Sequence, residues 1–326
     1  MESLPEYLLI LISTPLYMVV IGAEILMSNY RYKKAYSWKN TASNIYLMLL
    51  NSGIDLLFRG IYIMILDYCF DRQILSVSNV MVYWILLLLM EDFLYYWLHR
   101  FDHEVRLFWA VHVTHHSSEY MNFTVGFRSS VFQPLYRFFY FIPLAFLGFK
   151  PLDILFMYSA TQIWGIFVHT ELVKKMGWLE KILVTPSHHR VHHASNPTYL
   201  DRNMGMFLII WDKVFGTFQP ELPEDTYQPL KYGLTQPLKK KSPVNIVFHE
   251  WKAIASDLKR KDITWKQKLG YIFGPPGWSH DGSRLTSEEL KAEESASESA
   301  VKDELAAIHL QTRPVTLYRS KDKTNS

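Results

Sequence analysis

Histidines at ligand spacing dominate the middle of this chain. Of its 13 histidines, nine form three clusters: His99 and His103; His112, His115 and His116; and His188, His189, His192 and His193. Within each cluster residues recur at i+3 or i+4, which on a helix sets imidazoles on one face with Cβ atoms about 5–6 Å apart, near enough for two rings to grip one ion. An isolated histidine is commonly a surface or packed side chain, but three clusters of one residue type predict metal binding. No cysteine and few carboxylates accompany them. Imidazole suits iron, zinc, copper or nickel, whereas calcium and magnesium prefer oxygen. A single zinc takes about four ligands, so eight or nine histidines imply two metals. Held by neutral imidazoles, such a pair keeps much of its positive charge, which favours iron reducing O2 over a hydrolytic zinc pair bridged by carboxylates.

The elements that must position these clusters read as membrane helices. Hydrophobic residues make up 49% of the chain and aromatic ones 15%, and apolar stretches run over about 7–27, 45–66 and 80–98. A bilayer core takes roughly 20 helical residues, so each can span. Two further stretches, about 132–149 and 152–168, flank Gly148, Lys150 and Pro151 and read as a helical hairpin. A mean hydropathy of −0.01 hides this, because the polar C-terminal third offsets the apolar N-terminal half. The expected fold class is all-α: a multi-pass helical membrane protein of about five spans, the last two a hairpin, with a cytoplasmic histidine-rich cap holding two metals. A soluble all-α globule with long core helices is the alternative.

Charge sets the expected topology. The first stretch carries acidic Glu2 and Glu6 where a signal peptide needs a basic flank, so it reads as retained. Arg31, Lys33, Lys34 and Lys39 follow it, while Asp67, Asp71 and a single Arg72 lie between the second and third stretches. Positive loops stay cytoplasmic, which brings all three boxes to the cytoplasmic face, at the endoplasmic reticulum if the chain is eukaryotic and at the cytoplasmic membrane if bacterial. Cys69 is the single cysteine, which excludes an intrachain disulfide framework, and a net charge of +3 is too small to suggest nucleic acid. Residues 1–281 read as an integral-membrane metal domain. Residues 282–326 read as a polar, solvated tail with a short helix around 288–305.

His99-Arg-Phe-Asp-His103, His112-Val-Thr-His-His116 and His189-Arg-Val-His-His193 resemble the HxxxH, HxxHH and HxxHH boxes of the fatty acid hydroxylase superfamily, which includes sterol desaturases and carotenoid hydroxylases. Asp92-Phe-Leu-Tyr-Tyr-Trp-Leu-His99 and Trp211-Asp-Lys-Val-Phe-Gly-Thr-Phe218 also fit. Within the superfamily the chain is most similar to the ether-lipid-cleaving alkylglycerol monooxygenases. That likeness rests on Trp109-Ala-Val-His-Val-Thr-His-His-Ser-Ser-Glu119, Phe127-Arg-Ser-Ser130, His169-Thr-Glu171, Thr185-Pro-Ser-His-His-Arg-Val-His-His193 and Gly274-Pro-Pro-Gly-Trp278, and it covers about 45–278.

The resemblance implies metal ligands at His99, His103, His112, His115, His116, His189, His192 and His193, with His169 a ninth. His188 would point off the metal face of its helix. Glu104, directly after the first box, resembles a glutamate the ether-lipid enzymes require. Asp92 lies seven residues before His99, two turns up the same face, where a charge at membrane depth needs a partner; it is expected to accept a hydrogen bond from a ligand ring, with Glu171 and Asp201 as further candidates. Arg128 is placed to meet a pterin cofactor or a lipid phosphate, and Trp109, Tyr120 and Trp164 to line the route to the metals. The chemistry implied is O2-dependent hydroxylation of a lipid by two Fe ions. Hydroxylation of a glyceryl ether gives a hemiacetal that collapses to aldehyde and glycerol. No flavin or nucleotide motif is visible, so electrons come from outside: tetrahydrobiopterin by the closest resemblance, cytochrome b5 or ferredoxin as electron donor protein by the wider one. The partners expected are a lipid substrate, the membrane and that donor. The rival readings are a sterol or fatty acyl hydroxylase or desaturase and, from another class, a non-enzymatic metal-binding or transport protein.

Overall fold

The computed structural model describes residues 6–30 and 36–311. Glu2, Arg31, Lys33, Lys34 and the part of the tail from 312 onward lie outside the described residues. Three helices, α1 (Glu6–Tyr30), α2 (Trp38–Phe70) and α3 (Val80–Glu104), are long and apolar enough to cross a membrane. At 1.5 Å per residue α2 and α3 reach about 50 and 37 Å, beyond a hydrocarbon core of about 30 Å. Their outward faces expose Leu56 and Leu57 by 75% and 74% and Met81 by 72%; water would penalise such a surface, and lipid accepts it. The chain is an integral membrane protein.

The surplus length of α2 and α3 lies at one end of the bundle, where it builds the cap. Asn40, Asn44 and Asn51 near the start of α2 bond to Ser118, Thr124 and the Ser130 carbonyl. The end of α3 carries His99 and His103. α1 joins the same end through buried Glu24, whose carboxylate accepts from the Phe123 amide and the Thr170 hydroxyl. A single extended residue, Val105 (φ −116°, ψ 118°), breaks α3 from α4 (Arg106–His116) and so turns the second box to face the first.

α5 (Pro134–Phe146) and α6 (Pro151–Phe167) form the expected hairpin, each opened by a proline at its first position. With 13 and 17 residues they run only about 20 and 25 Å, shorter than the spans read from the sequence. They pack against α2, α3 and each other, and their turn meets the 71–79 loop at the end away from the cap, where the Ile74 amide donates to the Phe146 carbonyl. Gly148 in that turn has φ +88°, and a Cβ would stand 2.3 Å from the Leu75 carbonyl oxygen, so only glycine fits. Leu87, Leu98, Leu144, Phe149 and Ile154 are fully or almost fully buried between these helices.

The rest of the cap comprises α7 (Pro186–His193), α8 (Ile210–Phe215), α9 (Pro243–Leu258), α10 (Trp265–Phe273) and α11 (Ser287–Gln311). Extended pairing among the described residues is limited to two isolated bridges, Leu183 with Leu208 and Ala194 with Tyr232. Buried Arg106 ties α4 to α9 by donating to Glu250 and Asp257 at 2.6 and 2.7 Å. Where the sequence reads a solvated tail with a short helix, α11 runs 25 residues, and Glu294 in its second turn accepts from the Thr198 amide and hydroxyl and from Tyr227.

Candidate metal centre

Nine histidines converge at the cap in two groups. His99, His103, His112, His116 and His192 form one; His115, His169, His189 and His193 form the other, and within each group the ligand atoms lie within 4.8 Å of one another. These are the nine positions singled out from the sequence, delivered by the end of α3, α4, the residue just past the C-cap of α6, and α7.

The ring nitrogens are sorted by their partners. Nδ1 of His99 donates to the Met204 carbonyl (2.7 Å), His115 to Arg128 (2.9 Å), His169 to Gly165 (2.7 Å) and His192 to Arg202 (2.9 Å). Nδ1 of His103 donates to the Asp201 carboxylate at 3.1 Å. Nδ1 of His112 lies 3.2 Å from the Ser130 hydroxyl and 3.6 Å from Asp102. A neutral imidazole that donates through Nδ1 leaves a lone pair on Nε2. Within the groups Nε2 atoms face one another: His99 to His112 at 3.1 Å, His116 to His112 at 3.2 Å, His169 to His189 at 2.9 Å and His169 to His193 at 3.1 Å. The Nε2 atoms of His103 and His192 are buried without a protein partner. Facing lone pairs at such distances repel unless a cation lies between them. Ligands about 2.0–2.1 Å from a metal stand about 3.0 Å apart at right angles and about 3.4 Å apart in a tetrahedron, so the side chains fit metal ions.

Electrostatics agree. Burial pushes His112, His116, His169, His189, His192 and His193 well below the usual imidazole range, and takes His115 down to about 4. The rings are therefore neutral at pH 7, the form that ligates. All-nitrogen sets without thiolate suit iron, zinc, copper or nickel.

The other expected residues fall in different places. Asp92 is fully buried but reaches no histidine: its carboxylate accepts from the amides of Phe207 (2.9 Å) and Leu208 (3.0 Å) and from the Trp211 indole (3.0 Å). Asp212 clamps the same loop through the Met204 and Gly205 amides at 2.6 and 2.8 Å. Together they aim the Met204 carbonyl at His99, so Asp92 acts on a ring through the backbone. Asp102 and Asp201 stand closest to rings. Asp201 (φ +50°) and Asn203 (φ +55°) are left-handed non-glycine residues, a conformation Asp and Asn tolerate best. They flank Arg202 and so turn its carbonyl onto His192. Asp102 was legible as the acid inside the first box; Asp201 offered no spacing signal.

Glu104 is exposed and pairs with Arg100 at 2.7 Å. Arg128 is buried, its guanidinium donating to the Thr114 carbonyl, Ser117 Oγ and Asn44 Oδ1; burial lowers it to about 10, so it stays charged. His188 stays outside both groups, because its Nδ1 caps α7 by accepting from the Thr185 amide. The Trp164 indole donates to the Val184 carbonyl and braces the approach to α7.

A cavity of about 700 Å³ opens onto His103, His116, His192 and His193, and so onto both groups. Trp109 lines it with its ring 5.3 Å from that of His103 and 5.6 Å from that of His116. Val113, Leu200, Leu238, Leu285 and Leu290 supply apolar wall, the last two from the start of α11 and the residues before it.

Residues 84–217 match the fatty acid hydroxylase family. The chain is 34% identical to an alkylglycerol monooxygenase of Xenopus tropicalis over 293 residues, covering 87% of this chain and 62% of that protein. It is 40% identical to the Homo sapiens alkylglycerol monooxygenase over 201 residues, 61% of this chain and 43% of that one. An ornithine lipid hydroxylase of Rhizobium tropici is 32% identical over 142 residues, 43% of each chain. The chain thus spans between two fifths and two thirds of the length of these relatives. No solved structure matches it with significance.

Proposed function

We propose, from the match of residues 84–217 to the fatty acid hydroxylase family and from the histidine groups, that the chain is a membrane di-iron monooxygenase of lipids with glyceryl ethers as its substrate class. The observation that carries the reading is the pair of histidine groups, five and four rings with lone pairs turned inward. His99, His103, His112, His116 and His192 would hold one iron; His115, His169, His189 and His193 the other. The irons, when bound, supply the capacity to reduce O2 and oxidise an unactivated C–H bond.

The protein's own part is placement. The backbone carbonyls and Asp201 fix the tautomers of His99, His103, His115, His169 and His192, so that these ligands need not reorient. The cavity against Trp109 receives the reacting carbon, with Val113, Leu200 and Leu238 on its apolar side and Arg106, Asp201, Glu250 and Arg284 on its charged side. Glu104, exposed one residue beyond His103, belongs to the surface where the reductant meets the cap, and tetrahydrobiopterin is the reductant we assign. That face is cytoplasmic, at the endoplasmic reticulum or the bacterial inner membrane.

Glyceryl ethers are preferred to sterols and simple acyl chains because the relatives at 34% and 40% identity are alkylglycerol monooxygenases. The test is purified chain loaded with iron and supplied with O2 and a reduced pterin, offered an alkylglycerol, a sterol and a phospholipid in parallel. Fatty aldehyde and glycerol from the first are expected; a hydroxylated acyl chain as the sole product would overturn the ether assignment.

A further inference from the structure

Arg128 is a buried cation without an anion. Only 2% of it is exposed, and its partners are neutral: the Thr114 carbonyl, Ser117 Oγ and the side-chain oxygens of Asn40 and Asn44. No ion pair reaches it among the described residues. Among the described residues the other two buried arginines are each neutralised, Arg106 by Glu250 and Asp257 and Arg190 by Glu221, and part-buried Arg137 pairs with Asp55. A buried charge is costly unless paired, so the missing counter-charge points to a ligand.

The space beside it has the matching chemistry. Arg128 lines a pocket of about 240 Å³ together with Lys39 and Lys241, three cations against one carboxylate, Glu119, which contacts Lys241 at 2.6 Å, so the lining keeps a surplus of positive charge. The pocket sits at the start of α2, where Trp38 is 88% exposed; an exposed tryptophan at the end of a span marks headgroup depth. Leu234, Pro237 and Leu238 separate this pocket from the cavity over the histidines and line both.

We propose that the pocket binds one phosphate group at headgroup depth, with Arg128 as its buried anchor and Lys39 and Lys241 as the charges that close on it. The phosphate is that of a lipid headgroup or free in solution. The site is separate from the histidine groups, yet the Arg128 carbonyl accepts from His115 Nδ1 at 2.9 Å, so the segment that holds the anion also holds a ring.

The experiment uses the full chain in detergent micelles, with native mass spectrometry for phosphatidic acid and diacylglycerol of identical acyl chains and equilibrium dialysis for labelled orthophosphate. The variants are Lys39→Met with Lys241→Met, both exposed, which should leave thermal unfolding and metal content as in wild type. One phosphatidic acid retained per chain, no diacylglycerol, and at least tenfold weaker retention in the double variant support the headgroup. One orthophosphate per chain with the same lysine dependence, and no phosphatidic acid, support the soluble anion. Equal retention of both lipids, binding indifferent to the lysines, or no binding of either phosphate overturns the proposal. Metal content on the same samples keeps each outcome separate from the fate of the di-iron reading.

Discussion

Asp92→Asn should damage the metal centre from a distance. The carboxylate accepts three hydrogen bonds inside the protein, from the Phe207 and Leu208 amides and the Trp211 indole. An asparagine has one carbonyl oxygen, which can keep the Leu208 and Trp211 donors, but then its amide nitrogen faces the Phe207 N–H. A hydrogen bond to a charged acceptor contributes about 1.5–3 kcal/mol and a buried unsatisfied donor costs about 1–3 kcal/mol, so the change costs about 3–5 kcal/mol. Against a total stability of about 5–15 kcal/mol this is a large fraction, and for a chain of this size it should lower Tm by on the order of 5–10 °C. The loosened loop includes Met204, whose carbonyl fixes His99, so metal affinity should fall about tenfold or more. Differential scanning fluorimetry in detergent and metal analysis of the same samples read both effects. Wild-type Tm together with wild-type metal content would refute the claim that Asp92 holds the loop that holds the ring.

Glu104→Gln removes only an exposed pair with Arg100, worth about 0.3–0.5 kcal/mol, so Tm and metal content should stay put while the KM for the reductant rises; unchanged steady-state kinetics would remove Glu104 from the reductant surface. Burial lowers both His115 and His188 to about 4, so the unfolded chain binds protons that the native one refuses as pH falls below about 6.5. Stability should therefore drop between pH 6.5 and about 4, and a flat Tm across that window would contradict neutral buried rings. A reporter in the loop between α2 and α3, residues 71–79, should read opposite in side to one inserted in the cap near Ser283; the same side for both would break the shared-face topology.

The boxes were readable because helical periodicity brings i, i+3 and i+4 rings together before any tertiary contact forms. His169 has no such neighbour; α4 and α7 bring His115, His189 and His193 to it only in three dimensions, and the resemblance alone pointed to it. Asp92 was legible as a buried charge that needs partners, but not which partners, since the loop at 204–208 approaches it from more than 100 residues away. Asp201 stands among the sequence candidates for a ring partner, but the left-handed turn that presents it to His103 leaves no periodic mark, so the ring it meets was not legible. The hairpin read as two full spans because hydropathy counts apolar residues on either side of α5 and α6, whereas their starting prolines and contacts set the helices shorter. α11 looked like a solvated tail because its composition is polar; its docking rests on Glu294, one of several glutamates there and the one that meets Thr198 and Tyr227.

The central claim is that nine inward-facing imidazoles hold two ions in the five-and-four partition of the structure. Metal content of the purified iron-loaded chain should be close to two per chain in wild type and should fall toward one in both His192→Ala and His169→Ala, each of which touches a different group, with lipid oxidation lost in both. Two metals retained with full turnover in either variant, or turnover by a wild-type chain holding less than one metal, would contradict the account.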